Sequence, residues 1–144
     1  MYRNELIELI QYDAVTPTVC RRPLLIVPPC INKYYILDLK PENSFVAWAV
    51  AQGHTVFMIS WRNVPPEQGA LTWDDYLERG VLAAIRLARE IAGSRTVNTR
   101  GFCVGGTLLA SALAVLAARR DASVTSATLL TTMLDFADPG DIGV

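Results

Sequence analysis

The sequence has 144 residues, of which 51% are hydrophobic and 19% charged, with a formal net charge of −1. This length and composition fit one domain with a sizeable core, and the near-neutral charge argues against nucleic acid or an anionic membrane as a partner. Three cysteines without a CxxC or Cys/His cluster fit a reduced cytoplasmic chain with no metal site. The sequence contains no long apolar run, so we expect no signal peptide and no transmembrane helix.

Short apolar runs alternate with helical patterns along the chain. The sequence predicts strands at 6–11, 24–27, 55–59, 96–100 and 123–131 and helices at 43–51, 72–93 and 105–119, with a loop at 134–144. Such alternation is typical of an α/β fold with a mostly parallel sheet and helices on both faces. In sheets of this kind the functional residues lie at the carboxyl ends of the strands.

The helix at 72–93 carries recognisable end signals. Thr72 is a predicted N-cap, Asp74 and Asp75 follow in the first turn, and Gly93 ends the helix. Apolar residues recur at helical spacing and predict its buried face: Leu77, Val81, Ala84, Ile85, Ala88 and Ile91.

The most informative motif follows the predicted strand at 96–100. Gly101, Cys103 and Gly105 have the form G-x-C-x-G at a strand-to-helix turn, which is the context of a nucleophile elbow in an α/β-hydrolase fold. The glycines relieve crowding around a strained turn, and the helix N-terminus favours a thiolate. We therefore expect Cys103 to be the nucleophile. The alternative is that Cys103 is a small buried apolar residue in a glycine-rich turn.

An attacking thiolate would generate an oxyanion that needs two backbone N–H donors. The first is predicted to be the N–H of Val104, directly after the nucleophile. The second should come from the loop after the strand at 24–27, where the N–H of Cys30 or Ile31 is the candidate.

Several segments together resemble polyhydroxyalkanoate synthases, and their wording resembles the class that prefers short-chain monomers. They are Pro28–Leu39 (PPCINKYYILDL), Pro41–Ser44 (PENS), Gly53–Phe57 (GHTVF), Ser60–Asn63 (SWRN), Thr72–Tyr76 (TWDDY), Gly101–Thr107 (GFCVGGT) and Leu134–Asp138 (LDFAD). The cysteine in a lipase-like box is the hallmark of that family. The resemblance covers nearly the whole chain.

The resemblance implies an acyltransferase that polymerises (R)-3-hydroxyacyl-CoA through an acyl group on Cys103. Coenzyme A would be a leaving group of the substrate, and no cofactor or metal is implied. The resemblance further implies a cytoplasmic enzyme that works at the surface of polymer granules, as a homodimer when full-length. A histidine base and an aspartate complete the family's catalytic set, and both lie well beyond the nucleophile.

Neither of these partners can be assigned to a residue of this chain. Its only histidine, His54, opens a predicted strand whereas Cys103 closes one, so the two should lie at opposite edges of the sheet. Asp135 is expected to order a loop, and Trp61 is expected to pack beside the site. We therefore expect residues 1–144 to be the N-terminal part of an α/β-hydrolase catalytic domain that is inactive in isolation.

Two other functions remain open from the residues. A cysteine-type hydrolase or thioesterase would use the same turn and release its product to water, and the chain could also be a catalytically inactive truncated product. Arg100 departs from the expected pattern, because a central strand buried on both faces should be apolar there. We expect Arg100 either to find a carboxylate or to weaken the strand.

Overall fold

A computed structural model describes residues 2–139, which form an α/β structure around one six-stranded sheet. The spatial order of the strands is β1-β2-β4-β3-β5-β6. The strands are β1 (Tyr2–Arg3), β2 (Ile7–Gln11), β3 (Leu24–Val27), β4 (Val56–Trp61), β5 (Val97–Phe102) and β6 (Val124–Leu130). The pairs β3–β4, β3–β5 and β5–β6 are parallel. The pairs β1–β2 and β2–β4 are antiparallel. The predicted mostly parallel sheet is confirmed.

Helices connect the parallel strands. Helix α1 (Phe45–Ala51) follows two short 3-10 turns (Tyr34–Leu37 and Pro41–Asn43), and a third 3-10 turn (Pro66–Gln68) follows β4. A continuous helical segment then comprises α2 (Trp73–Asp75), a π-helical stretch (Tyr76–Leu82) and α3 (Ala83–Ile91), while α4 (Val104–Ala118) joins β5 to β6. None of the helices between residues 2 and 139 is long and apolar enough to cross a bilayer.

The core has two parts because the sheet is covered on both faces. The larger cluster holds Leu25 and Val27 of β3 together with buried residues of the π-helical stretch, α3 and α4. The smaller cluster holds Ile26 of β3 and buried residues of α1. Neighbours along β3 thus face opposite sides, as expected for a strand buried on both faces.

The long helical segment begins as its sequence predicts. The Thr72 hydroxyl accepts a hydrogen bond from the N–H of Asp75, and the Asp75 carboxylate accepts one from the N–H of Thr72 at 2.8 Å. The Thr72 hydroxyl also donates to the same carboxylate at 2.9 Å, and the hydrogen bonds from the N–H and hydroxyl of Thr72 hold the pKa of Asp75 below its usual value. The capping box satisfies two N–H groups that the first helical turn leaves without partners.

Two features of this segment differ from the sequence prediction. Ile91 is 47% exposed, so the buried stripe ends at Ala88. The stretch Tyr76–Leu82 is π-helical, which the regular apolar spacing did not indicate. At Gly80, a side-chain Cβ would lie 2.7 Å from the Trp61 ring, so this stretch packs against the sheet where only glycine fits.

Strand β5 was expected to be buried on both faces, and this expectation is wrong. Val97, Thr99 and Gly101 are buried, whereas Asn98, Arg100 and Phe102 on the other face are half-buried. Arg100 finds an aromatic ring in place of a carboxylate, because its guanidinium lies 3.5 Å from the centroid of the Phe45 ring. Its Nε is buried without a hydrogen-bond partner in the described chain, and burial lowers the pKa of Arg100. The cation–π contact offsets part of this desolvation.

Candidate active site

Cys103 forms the turn between β5 and α4. Its backbone has φ 53° and ψ −128°, and it is the N-cap residue of α4. A positive φ is uncommon for a residue with a side chain, and such strain concentrates at functional turns. The half-buried Cys103 is therefore held at a helix N-terminus in a conformation that neither β5 nor α4 would adopt on its own.

Glycines make this turn possible because backbone segments meet there. A Cβ on Gly101 would overlap Cα of Gly106. A Cβ on Gly105 would overlap the backbone carbonyl oxygen of Val27 and lie 2.5 Å from that of Pro28. The crowding that the G-x-C-x-G pattern predicted is thus present, and it fixes the start of α4 against both β5 and the end of β3.

Hydrogen bonds hold the turn in place. The N–H of Cys103 donates to the carbonyl of Leu130 at the end of β6, at 2.9 Å. The carbonyl of Cys103 accepts from the N–H of Gly106 at 2.8 Å and closes the first turn of α4. The hydroxyl of Thr107 donates to the carbonyl of Met133 at 2.9 Å, so the loop after β6 is also fastened to α4.

The loop after β3 leaves the sheet beside this turn. Val27 pairs with Gly101 in the parallel register of β3 and β5, so the residues that follow both strands lie at the same edge of the sheet. Within the described residues, the N–H groups of Val104 and Ile31 donate no hydrogen bond. They are free to serve an added acceptor, as is needed of oxyanion donors.

Cys30 lies in this loop with its thiol half-buried. Burial raises the pKa of the Cys30 thiol, although its own backbone N–H acts in the opposite direction. The raised pKa keeps this thiol protonated at neutral pH, and a protonated thiol is a poor nucleophile. The Cys30 thiol is therefore not a competing nucleophile beside Cys103.

A shallow cavity of ≈ 390 Å³ opens next to the loop. It is lined by Cys30, Ile31, Asn32, Lys33, Arg62, Asn63, Val64 and Tyr76. Lys33 Nζ donates to the side-chain oxygen of Asn63 at 2.8 Å and bridges the loops after β3 and β4. The sequence reasoning did not single out Lys33, Asn63 or Tyr76. The first two could have been found, because both follow the carboxyl end of a predicted strand.

Trp61 is hydrogen-bonded to the loop after β3. The residue is 8% exposed, and its indole N–H donates to the carbonyl of Pro28 at 2.8 Å. Its ring packs on Tyr76, with 5.6 Å between the centroids. Trp61 therefore has the packing role that the sequence predicted, and it orders the start of the loop that carries Cys30 and Ile31.

The structure places the other two candidate partners away from Cys103 or in local contacts. His54 precedes β4, which runs parallel to β3 and through it to β5, so His54 lies at the opposite edge of the sheet from Cys103. A strand of this length separates them by roughly 20 Å. Asp135 is exposed and accepts a hydrogen bond from the N–H of Ala137 at 2.9 Å, as expected for a loop-ordering residue.

Comparison with known proteins gives consistent relatives. Residues 1–49 match the family model described as "Poly-beta-hydroxybutyrate polymerase (PhaC) N-terminus". The chain is 56% identical over 144 residues to the poly(3-hydroxyalkanoate) polymerase subunit PhaC of Cupriavidus necator. This match covers 100% of this chain and 24% of that protein. It is 49% identical over 142 residues to the polymerase subunit PhaC of Rhizobium meliloti, covering 99% of this chain and 23% of that protein. The chain thus spans about a quarter of the length of the curated relatives it matches.

Solved structures share the fold at low sequence identity. A carboxylesterase of Nitrososphaera gargenis matches with a TM-score of 0.59 at 16% identity, covering 88% of this chain and 42% of that one. A hormone-sensitive lipase from a metagenome library matches with a TM-score of 0.52 at 20% identity, covering 92% of this chain and 46% of that one. The described residues therefore form part of an α/β-hydrolase fold.

Proposed function

This chain belongs to the poly(3-hydroxyalkanoate) polymerase family, and from that premise we propose that Cys103 is the residue that carries the growing acyl chain. The observation that carries the proposal is the backbone of Cys103, strained at φ 53° between the crowded glycines Gly101 and Gly105. The names of its relatives point to a 3-hydroxyalkanoate polymer as the product, and we propose (R)-3-hydroxyacyl-CoA as the substrate. The chain would be the N-terminal part of the catalytic domain.

The proposed first step is thioester exchange. The thiolate of Cys103 attacks the carbonyl carbon of the acyl-CoA, and the tetrahedral intermediate collapses as the C–S bond to coenzyme A breaks. Coenzyme A leaves as a thiolate and takes up a proton, and the acyl group stays on Cys103. A cysteine suits this exchange because a thiolate is a strong nucleophile near neutral pH.

The second step lengthens the polymer. The 3-hydroxyl of another unit attacks the acyl group on Cys103, loses its proton to a base, and forms an ester as the cysteine thiolate is released. Repetition of the two steps gives a polyester and one coenzyme A per added unit. Neither step requires a cofactor or metal ion.

Both steps pass through an oxyanion, for which the turn and the loop after β3 supply donors. We assign one position to the N–H of Val104 at the start of α4, where the helix dipole adds a favourable field. The second donor is the N–H of Ile31 or Cys30. The hydrogen bond from Trp61 to the carbonyl of Pro28 holds this loop beside the turn.

We propose that the base for the second step lies outside these 144 residues. The chain has a single histidine, and His54 lies a strand length away from Cys103. We therefore propose that the isolated chain can be acylated but cannot polymerise. The homodimer, the granule surface and the cytoplasmic location stay predictions for the whole enzyme.

An acylation assay tests the nucleophile without requiring the missing base. The chain is incubated with (R)-3-hydroxybutyryl-CoA at alkaline pH, where thiols ionise unaided, and coenzyme A release is measured together with peptide mass spectrometry. We expect one equivalent of coenzyme A and an acyl group on Cys103. Cys103→Ala should abolish both, whereas the control Cys20→Ala at an exposed position should leave both unchanged.

Two outcomes would redirect the proposal. Continuous release of coenzyme A with a soluble hydroxy acid as the product would assign a hydrolase or thioesterase instead. Acylation of Cys30 or Cys20 in place of Cys103 would remove the turn as the reactive site.

A further inference from the structure

A cluster of arginines lies at the edge of the sheet opposite to Cys103. Arg86, Arg89, Arg95 and Arg119, here called the arginine cluster, line three adjoining cavities of ≈ 270, ≈ 540 and ≈ 440 Å³. Arg89 lines all three cavities, which together are here called the depression. Arg95 lies two residues before β5 and Ser123 directly precedes β6, whereas Cys103 follows β5. The length of β5 therefore separates the depression from the turn by roughly 20 Å.

Only part of this positive charge is neutralised. Arg86 pairs with Glu90 at 3.3 Å, and Arg119 pairs with Glu78. Arg89 uses its Nε for the carbonyl oxygen of Arg95 at 2.8 Å, and within residues 2–139 no carboxylate pairs with Arg89 or Arg95. Two guanidinium groups therefore share the depression without an ion-pair partner, and Asp121 is the one carboxylate lining it that forms no ion pair among the described residues.

Three acidic residues line the depression, and two of them, Glu78 and Glu90, are the ion-pair partners of Arg119 and Arg86. The carboxylate of Asp121 accepts a hydrogen bond from the N–H of Ser123 at 2.8 Å and so orders the turn before β6. Ser123 itself is 3% exposed and lines two of the three cavities together with Arg89. Its hydroxyl is buried and has no hydrogen-bond partner among the described residues. Buried hydroxyls are nearly always hydrogen-bonded, so this one lacks an acceptor.

We propose that the arginine cluster is a binding site for a phosphate group, with Arg89 and Arg95 as its cationic ligands and the Ser123 hydroxyl as a neutral donor. The planar guanidinium matches the spacing of phosphate oxygens, and a tetrahedral anion offers acceptors to more than one donor at once. The phosphate could be free or part of a nucleotide. The site shares no residue with the proposed acylation site, so each can fail without the other.

The test uses the 144-residue chain at low ionic strength. Inorganic phosphate and ADP are titrated separately, with sodium chloride at matched ionic strength as the reference, and backbone amide shifts are followed by NMR. We expect saturable shifts at residues 89, 95 and 121–123 and none at the turn around Cys103. Tighter binding of ADP than of phosphate would identify a nucleotide-type ligand, and equal binding would identify free phosphate.

Variants separate a built site from general attraction to positive charge. Arg89→Gln and Arg95→Gln should each weaken binding at least tenfold, and the control Arg3→Gln, at an exposed arginine of β1 paired with Glu8, should not change it. Ser123→Ala should weaken binding several-fold while leaving the unliganded chain as stable as before or more stable. Weaker binding together with unchanged or higher stability would not follow from a purely structural role of Ser123. Thermal melting without ligand shows which variants are folded, and only folded ones are titrated.

Three results would overturn the proposal. They are the absence of saturable shifts with either ligand, equal weakening by Arg3→Gln, and unchanged affinity in a folded Arg89→Gln or Arg95→Gln variant. If one of the two glutamine variants does not fold, the other decides.

Discussion

Replacement of Gly105 by alanine should displace the helix that begins at the nucleophile turn. The new Cβ would lie 2.5 Å from the carbonyl oxygen of Pro28 and 2.6 Å from its carbonyl carbon, with Val27 O closer still. Carbon atoms in contact normally stand about 3.5 Å apart, so the start of α4 must move by about 1 Å. Because these neighbours are backbone atoms of a buried strand end, they cannot yield by changing a rotamer.

The expected cost is at the upper end for overpacking, about 3 kcal/mol of the free energy of unfolding. For a chain of 144 residues this corresponds to a melting temperature lower by roughly 10 °C. Urea denaturation followed by circular dichroism measures the free energy, and a thermal scan measures the midpoint. The denaturation slope should stay the same, because the folded state remains equally compact.

A matched glycine serves as the control. Gly69 ends the 3-10 turn Pro66–Gln68 at an exposed position with φ −63°, which alanine adopts without strain. Its Cβ would meet a single atom, the carbonyl oxygen of Pro66 at 3.2 Å. Gly69→Ala should therefore change the stability by less than about 0.5 kcal/mol. A Gly105→Ala variant as stable as the Gly69→Ala variant would refute the claim that close backbone approach fixes this turn.

Three further substitutions test other parts of the structure. Trp61→Phe removes the donor of a buried hydrogen bond and should cost about 2 kcal/mol in a urea titration, with an increase in proteolysis of the loop at 28–33. Asp75→Asn should destabilise the chain near neutral pH. Because hydrogen bonds from Thr72 lower the pKa of Asp75, the wild-type advantage is present above the unfolded value near 4 and is lost as the pH falls through the lower folded value, so melting curves of the two proteins should converge in acid. Arg100→Leu should raise the free energy of unfolding by about 1 kcal/mol, since the loss of the contact with Phe45 is outweighed by removal of a desolvated charge, and a lower melting temperature would contradict this.

Local sequence patterns predicted most of the fold. Every strand and helix that the sequence predicts within the described residues is present, because apolar runs, the Thr72 cap and the Gly93 stop act over a few residues. The predicted loop extends past residue 139, and its last residues lie outside the described part. The antiparallel pairing of β2 with β4 was not predictable, since the partner of a strand is set by distant residues.

The errors share a physical cause. Exposure of Ile91 and of one face of β5 depends on which elements cover them, and periodicity alone cannot report coverage. The aromatic partner of Arg100 is Phe45 on α1, which is distant in sequence. The pattern around Arg100 therefore did not indicate this contact. At the candidate site, sequence indicated Cys103 and its flanking glycines. Tyr76 reaches the neighbouring cavity from the π-helical stretch, which no sequence pattern indicated.

The hydrogen bond from Cys103 to Leu130 also constrains the order of folding. The acceptor lies 27 residues after the donor, at the far end of the last described strand, and Thr107 is tied to Met133 in the same way. During synthesis, a nascent chain that ends before β6 can form β5 and α4, but it lacks the two hydrogen bonds that join the turn and α4 to β6 and to the loop after it. The amide hydrogen of Cys103 should consequently exchange with solvent only when β6 detaches, so its exchange rate reports on docking of that strand.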